Sequence, residues 1–156
     1  MQKKRYQHAL DLLSGRDEKF RLCQCHRILG NLHRSKNDPE KSIRHFETAL
    51  GLASSFDGLN ALFWIHFDLA ELFFDQARFD DANAHIQRAK LHAVNNHDSY
   101  TLADAMVLQA RVWHGQCRFD EAKSEGLRAV DAFEKLGAAR DAERARQFLQ
   151  QIGRDD

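Results

Sequence analysis

Nine histidines and three cysteines are the side chains in this sequence that could hold a metal ion. The closest group is Cys23, Cys25 and His26. In a helix, residues two positions apart point about 200° away from one another, so Cys23 and Cys25 could share a zinc ion only if the helix unwound. His26 and His66 recur at one repeat position and are expected to pack or to form hydrogen bonds. The sequence therefore predicts no metal site.

Cys117 is the candidate for nucleophilic chemistry, because Arg118 follows it and His114 lies one helical turn earlier. A reactive cysteine needs a base and an electropositive pocket, and this pairing alone supplies neither. The sequence contains no glycine-rich phosphate loop after a strand and no distinctive pair of carboxylates. We therefore expect a protein that is not an enzyme and that binds no cofactor.

The charge balance bears on the kind of partner. The 23 basic side chains equal the 23 acidic ones in number, which argues against nucleic acid or an anionic membrane surface as the main target. No apolar run approaches the roughly 20 residues that a transmembrane helix requires, and the N-terminus lacks a secretory signal pattern. An odd number of cysteines suits a reducing compartment. These features predict a cytoplasmic protein.

The elements that position these side chains follow an internal repeat with an offset of 40 residues. The match is clearest between ARFDDANAHIQRA (77–89) and CRFDEAKSEGLRA (117–129). Apolar residues recur at three- and four-residue spacing, which indicates two helices per repeat. Helices are predicted at 3–13, 17–34, 39–53, 58–76, 79–94, 99–115, 119–136 and 139–152.

Helix caps and small residues fix the phase of these helices. Predicted N-caps are Asp17, Asp57 and Asp98, and Pro39 fits the first turn of a helix. Small residues recur at equivalent places, where they would allow two helix axes to approach closely. These small residues are Gly30, Ala70 and Ala110 on the first helices, and Ser42, Ala82, Ala122, Ala49, Ala89 and Ala129 on the second helices.

The recurring positions resemble the motif of the tetratricopeptide repeat. The second unit carries it as Leu69, Ala70, Phe73, Ala82, Ile86 and Ala89. The third unit departs from it, with Gln109 in place of leucine and Gly126 in place of an aromatic residue. A 40-residue period is similar to the long repeats of kinesin light chains, spindle-orientation adaptors and the sensor arrays of regulatory ATPases.

The resemblance implies an all-α, right-handed α-solenoid of helical hairpins with about eight helices. Residues 1–156 would form a single array. It would contain the second helix of a preceding repeat (3–13), three repeats (17–53, 58–94 and 99–136) and a closing helix (139–152).

By the same resemblance, the first helices of the repeats would line a concave groove that binds a protein or peptide. The implied groove residues are Arg27, Asn31, Arg34, Trp64, Phe67, Asp68, Glu71, Phe74, Val107, Arg111 and His114. Trp64 and Phe67 could equally be buried between neighbouring first helices. Some tetratricopeptide proteins bind the C-terminal carboxylate of a chaperone. We do not expect this binding here, because Asp68, Asp104 and Leu108 stand where that subset has an amide and two basic residues.

Three functions remain open from the sequence. The chain could be a scaffold that binds a peptide or helix of a partner. It could be a regulatory or sensor segment of a larger protein. It could also be a homo-oligomer that associates through the exposed ends of its solenoid.

Overall fold

The computed structural model describes residues 18–55 and 59–155, and this part of the chain is helical. The helices are α1 (Lys19–Ser35), α2 (Pro39–Ala53), α3 (Leu59–Asp75), α4 (Phe79–Asn95), α5 (Ser99–Gly115), α6 (Phe119–Lys135) and α7 (Ala139–Asp155). They correspond to seven of the eight predicted helices. The eighth, predicted at 3–13, lies outside the described residues.

The helices pack as sequential hairpins. Each helix contacts the next one along the chain, and the first helices also contact one another, α1 with α3 and α3 with α5. The first helices begin at Lys19, Leu59, Ser99 and Ala139, so they recur every 40 residues. None of the helices in the described ranges is long and apolar enough to cross a membrane.

Small residues hold the two helices of each hairpin close together. Ala49, Ala82, Ala89, Ala122 and Ala129 have no exposed surface. A methyl group added at Gly30 would lie 2.6 Å from the Phe46 ring, so this ring packs directly on the α1 backbone. The buried Ser42 donates a hydrogen bond to the Gly30 carbonyl oxygen at 2.8 Å. These contacts confirm that the recurring small residues face the hairpin interior.

The two departures from the repeat motif each have a local explanation. Gln109 is fully buried, and it accepts a hydrogen bond from Gln87 and donates one to Asn83. Satisfied amide groups can replace leucine at a buried position because their polar atoms keep partners. At Gly126, the missing aromatic side chain is replaced by Leu149 of α7, whose Cδ2 atom would lie 2.7 Å from an added methyl group.

The starts of α2 and α5 follow the predicted cap chemistry, whereas α1 begins after Glu18, whose side chain forms no cap hydrogen bond. The Asp98 carboxylate accepts hydrogen bonds from the backbone nitrogens of Tyr100 and Thr101 at the start of α5. Pro39 occupies the first turn of α2, where Asp38 is the cap. Asp17 and Asp57, the other predicted caps, lie outside the described residues.

One turn geometry recurs between the helices. Ala77 has a φ of 55° and follows the C-cap of α3; its N–H bonds to the Phe74 carbonyl, and the Arg78 N–H bonds to the Phe73 carbonyl. This is the Schellman pattern of a left-handed residue that ends a helix. The same pattern occurs after α1, α4, α5 and α6, with the left-handed residues Asn37, His97, Cys117 and Gly137.

Ala77→Gly should stabilise the protein, because alanine is strained at a positive φ whereas glycine is not. After allowance for the greater freedom of glycine in the unfolded chain, we expect a gain of about 0.5–1 kcal/mol in the free energy of unfolding. Urea unfolding would measure it. In the matched control, Ala84→Gly on the exposed side of α4 should cost about 1 kcal/mol. A loss of stability in Ala77→Gly would contradict the assigned turn geometry.

Candidate functional site

The predicted groove residues lie on α1, α3 and α5, and most of them are half-buried. Asp68 is the exception, with only 6% of its surface exposed. Side chains of adjacent first helices meet across this surface, which we call the first-helix groove. It consists of the predicted groove residues together with four residues of α7, namely Asp141, Arg144, Ala145 and Phe148.

Charged side chains of α1 and α3 neutralise one another. The Arg27 Nε atom donates to Asp68 Oδ2 at 2.5 Å, and Asn31 Nδ2 donates to the same oxygen at 3.0 Å. Arg34 bonds to Glu71 at 2.5 Å and to Asp75 at 2.6 Å. The carboxylates of α3 in the groove are therefore paired with basic residues of α1.

Burial raises the pKa of Asp68, and the Arg27 charge together with the hydrogen bonds from Arg27 and Asn31 act against this rise. Because Arg27 and Asn31 are both bonded to Asp68, they contribute to the packing of α1 on α3.

The aromatic residues of the groove are partly covered by arginines. The Arg27 guanidinium lies 5.3 Å from the centre of the Trp64 ring, and that of Arg111 lies 4.7 Å from the centre of the Phe74 ring. Trp64 and Phe67 also pack against the buried Phe63. Both residues are half-buried, so one part of each ring stabilises the array and another part faces the groove.

A cavity of about 450 Å³ opens between α3, α5 and α7. The predicted residues Phe67, Glu71, Val107 and Arg111 line one side of it. The rest of the wall comprises Asp104, Leu108, Phe133, Asp141, Arg144, Ala145 and Phe148. His114, another predicted residue, contacts the Phe148 ring at 5.9 Å between centres.

The contribution of α7 to this cavity was missed because α7 was interpreted only as a closing helix. The signal was present in the repeat itself. A 40-residue offset places Arg144 and Phe148 at the positions of Asp104 and Leu108, which were already assigned to the groove side of α5.

Asp104 differs from the other groove carboxylates. Within the described residues, no hydrogen bond or ion pair reaches its side chain. Burial and then the neighbouring Asp141 carboxylate raise the pKa of Asp104 to about 6, although the charge of Arg144 opposes the rise. At neutral pH this carboxylate is therefore ionised at a cost in free energy, with no hydrogen bond from the described residues.

Among the residues considered for metal and thiol chemistry, Cys23, His26 and His66 have hydrogen-bond partners, and Cys117 is exposed in the turn after α5. No group of histidines, cysteines and carboxylates in residues 18–55 and 59–155 could hold a metal ion. Cys23 is buried, its thiol donates to the Ala49 carbonyl oxygen at 3.4 Å, and burial raises the pKa of both Cys23 and Cys25. A raised pKa lowers the thiolate fraction, so these cysteines are not activated.

Histidine pairs recur at the repeat offset. The Nδ1 atoms of His26 and His45 lie 3.0 Å apart, as do those of His66 and His85, so one nitrogen of each pair donates and the other accepts. His92 stacks on His66 at 5.7 Å. Burial, followed by the charges of His85, His92 and Arg88, lowers the pKa of His66 to about 3.

Among solved structures, this chain is similar to the N-terminal domain of stress-induced protein-1 (STI-1) from C. elegans, with a TM-score of 0.64 and 17% sequence identity over 85% of this chain and 99% of that chain. No protein-family model and no curated protein matches the sequence. At this identity the similarity establishes the fold alone. The chain therefore has a tetratricopeptide-like fold, an all-α stack of sequential helical hairpins.

Proposed function

We propose that this chain is a non-catalytic protein–protein interaction module that binds a peptide or helix of a partner in the first-helix groove. The observation that carries the proposal is the cavity between α3, α5 and α7, which combines aromatic walls with charged residues. Such concave sites, with an apolar lining and a few polar groups, are typical of binding sites.

The proposal includes several finer points. The 40-residue recurrence of the first helices favours kinship with the long-repeat tetratricopeptide proteins. The groove contains carboxylates beside its arginines, which favours a protein ligand over a nucleic-acid backbone. We place this interaction in the cytoplasm, and we assign residues 1–156 to one array.

Selection from a random peptide display library on the purified chain would test the groove. Val107→Trp places a large side chain in the cavity wall and should lower the affinity of selected peptides at least about tenfold. Leu127→Trp adds the same ring on the exposed surface of α6 and should leave the affinity within about twofold. Circular dichroism would verify that both variants keep their helical content.

A second groove variant guards against misfolding of the first. The Arg144 side chain is 82% exposed, so Arg144→Glu should fold normally and, because it reverses a charge in the cavity wall, should change the affinity of the selected peptides severalfold. Equal binding by the wild type and both groove variants would refute the proposal. If the chain instead sediments as a dimer that Leu127→Trp dissociates, the self-association alternative gains.

A further inference from the structure

The cavity between α3, α5 and α7 has walls suited to the stem of a long side chain. The rings of Phe67, Phe133 and Phe148 come from α3, α6 and α7 and form part of its wall. Aromatic rings pack against the methylene groups of lysine or arginine, and their faces attract the cationic end. The volume of about 450 Å³ is enough for one such side chain together with part of its backbone.

Of the charged groups that line this cavity, most are engaged. Glu71 is bonded to Arg34 at 2.5 Å, and Arg111 lies over Phe74 and 3.7 Å from Glu71. Asp141 accepts a hydrogen bond from the Tyr100 hydroxyl at 3.0 Å.

The remaining charged groups are Arg144 and Asp104. Arg144 lies 3.7 Å from Asp141 and extends into solvent. Among the described residues, none forms a hydrogen bond or ion pair with Asp104. The three carboxylates of the cavity wall outnumber its two arginines, so the excess charge is negative.

We propose that this cavity is a subsite for a cationic side chain, a lysine or arginine of the partner peptide, with Asp104 as its counter-ion. The inference rests on the proposed function and specifies what the groove selects. The basic anchor belongs at the α5–α7 end, because the carboxylates of α3 are already paired with arginines.

The environment of Asp104 makes the proposal sensitive to pH. The groups that act on its carboxylate are Asp141 and Arg144 on α7 and Asp98 at the start of α5. Because the pKa of Asp104 is raised to about 6, this residue is largely neutral near pH 5 and ionised near pH 7.5. A cation binds the ionised form, so its affinity should rise between these two values.

A small cation tests the subsite without a partner. Carboxyl-resolved NMR would follow the titration of Asp104 in n-butylammonium chloride, in sodium butyrate and in sodium chloride at one ionic strength. n-Butylammonium should lower the pKa of Asp104 relative to sodium chloride. No difference between these two salts would overturn the proposal. So would binding of butyrate, which would show that Arg111 and Arg144 select anions.

The selected peptides provide the second arm of the test. At about pH 7.5, replacing the anchoring lysine or arginine by norleucine should cost about tenfold in affinity. Asp104→Asn should cause the same loss, and Asp131→Asn, on the exposed surface of α6 and outside the cavity wall, should not. Both losses should shrink severalfold near pH 5.

Failure of this proposal differs from failure of the proposed function. If peptides bind the groove but Asp104→Asn leaves their affinity unchanged, the cationic subsite is wrong and the groove remains. If n-butylammonium lowers the pKa of Asp104 while selection yields no groove-binding peptide, the subsite stands and the peptide-binding function falls.

Discussion

Replacing Arg27 with methionine should lower the free energy of unfolding by about 3 kcal/mol near pH 8, because the buried Asp68 carboxylate would lose its charged partner. Methionine keeps an apolar stem beside Trp64, so lost packing contributes little. Asn31 still donates to Asp68, but one neutral hydrogen bond does not compensate a buried charge. Urea unfolding of the wild type and the variant would measure the difference.

The pH dependence of this loss follows from Asp68. Burial already raises the pKa of Asp68, and removing Arg27 would raise it further. A carboxyl whose pKa is higher in the folded state than in the unfolded state destabilises the fold increasingly as pH rises through the folded value. The cost of Arg27→Met should therefore decrease as pH falls, because protonation of Asp68 removes the unpaired buried charge.

Two further variants separate the ion pair from other effects. Arg27→Met combined with Asp68→Leu should recover most of the stability, because no unpaired charge remains buried. Arg44→Met, on the exposed side of α2, should change stability by less than about 0.5 kcal/mol. If the double variant is as unstable as Arg27→Met alone, the ion pair is not the cause.

Acidification from about pH 6.5 to about pH 5 should destabilise the protein by about 2 kcal/mol through His66. This histidine is 7% exposed, and its pKa is lowered to about 3 in the folded state. The unfolded chain takes up a proton at this site below about pH 6.5, whereas the folded chain does not. Stability is thus fully present above that pH and falls by about 1.4 kcal/mol for each pH unit below it.

His66→Phe should flatten this dependence, because phenylalanine fills a similar volume and does not titrate. Unfolding in urea at several pH values would give the slope for each variant. His97→Asn is the matched control, since His97 is an exposed residue with a positive φ that asparagine also tolerates. An unchanged slope in His66→Phe would show that other groups dominate the acid response.

The helices could be predicted closely from the sequence, because caps and repeated small residues mark their phase. The predicted helix at 39–53 agrees with Pro39–Ala53, and α7 extends three residues beyond its predicted end at 152. Asp98 and Pro39 are local signals whose effect does not depend on distant residues. Fold class was therefore accessible without knowledge of tertiary contacts.

The pairing of charged side chains within the groove could not be predicted in the same way. Arg27 and Asp68 are 41 residues apart in the chain, and their pairing depends on how far α1 is shifted along α3. That shift is set by the packing of whole helices and leaves no mark in a local pattern. The assignment of residues 1–156 to a single array stays a prediction, because residues 1–17 lie outside the described part of the chain.

The recurring Schellman turn bears on how such a chain could lengthen during evolution. His97 and Gly137 occupy equivalent left-handed positions at the junction between one hairpin and the next. A tandem duplication of 40 residues that begins at the same point of this turn would join two copies through an unchanged backbone conformation. Growth of the array by whole units would therefore require no new junction geometry, whereas insertions of other lengths would require one.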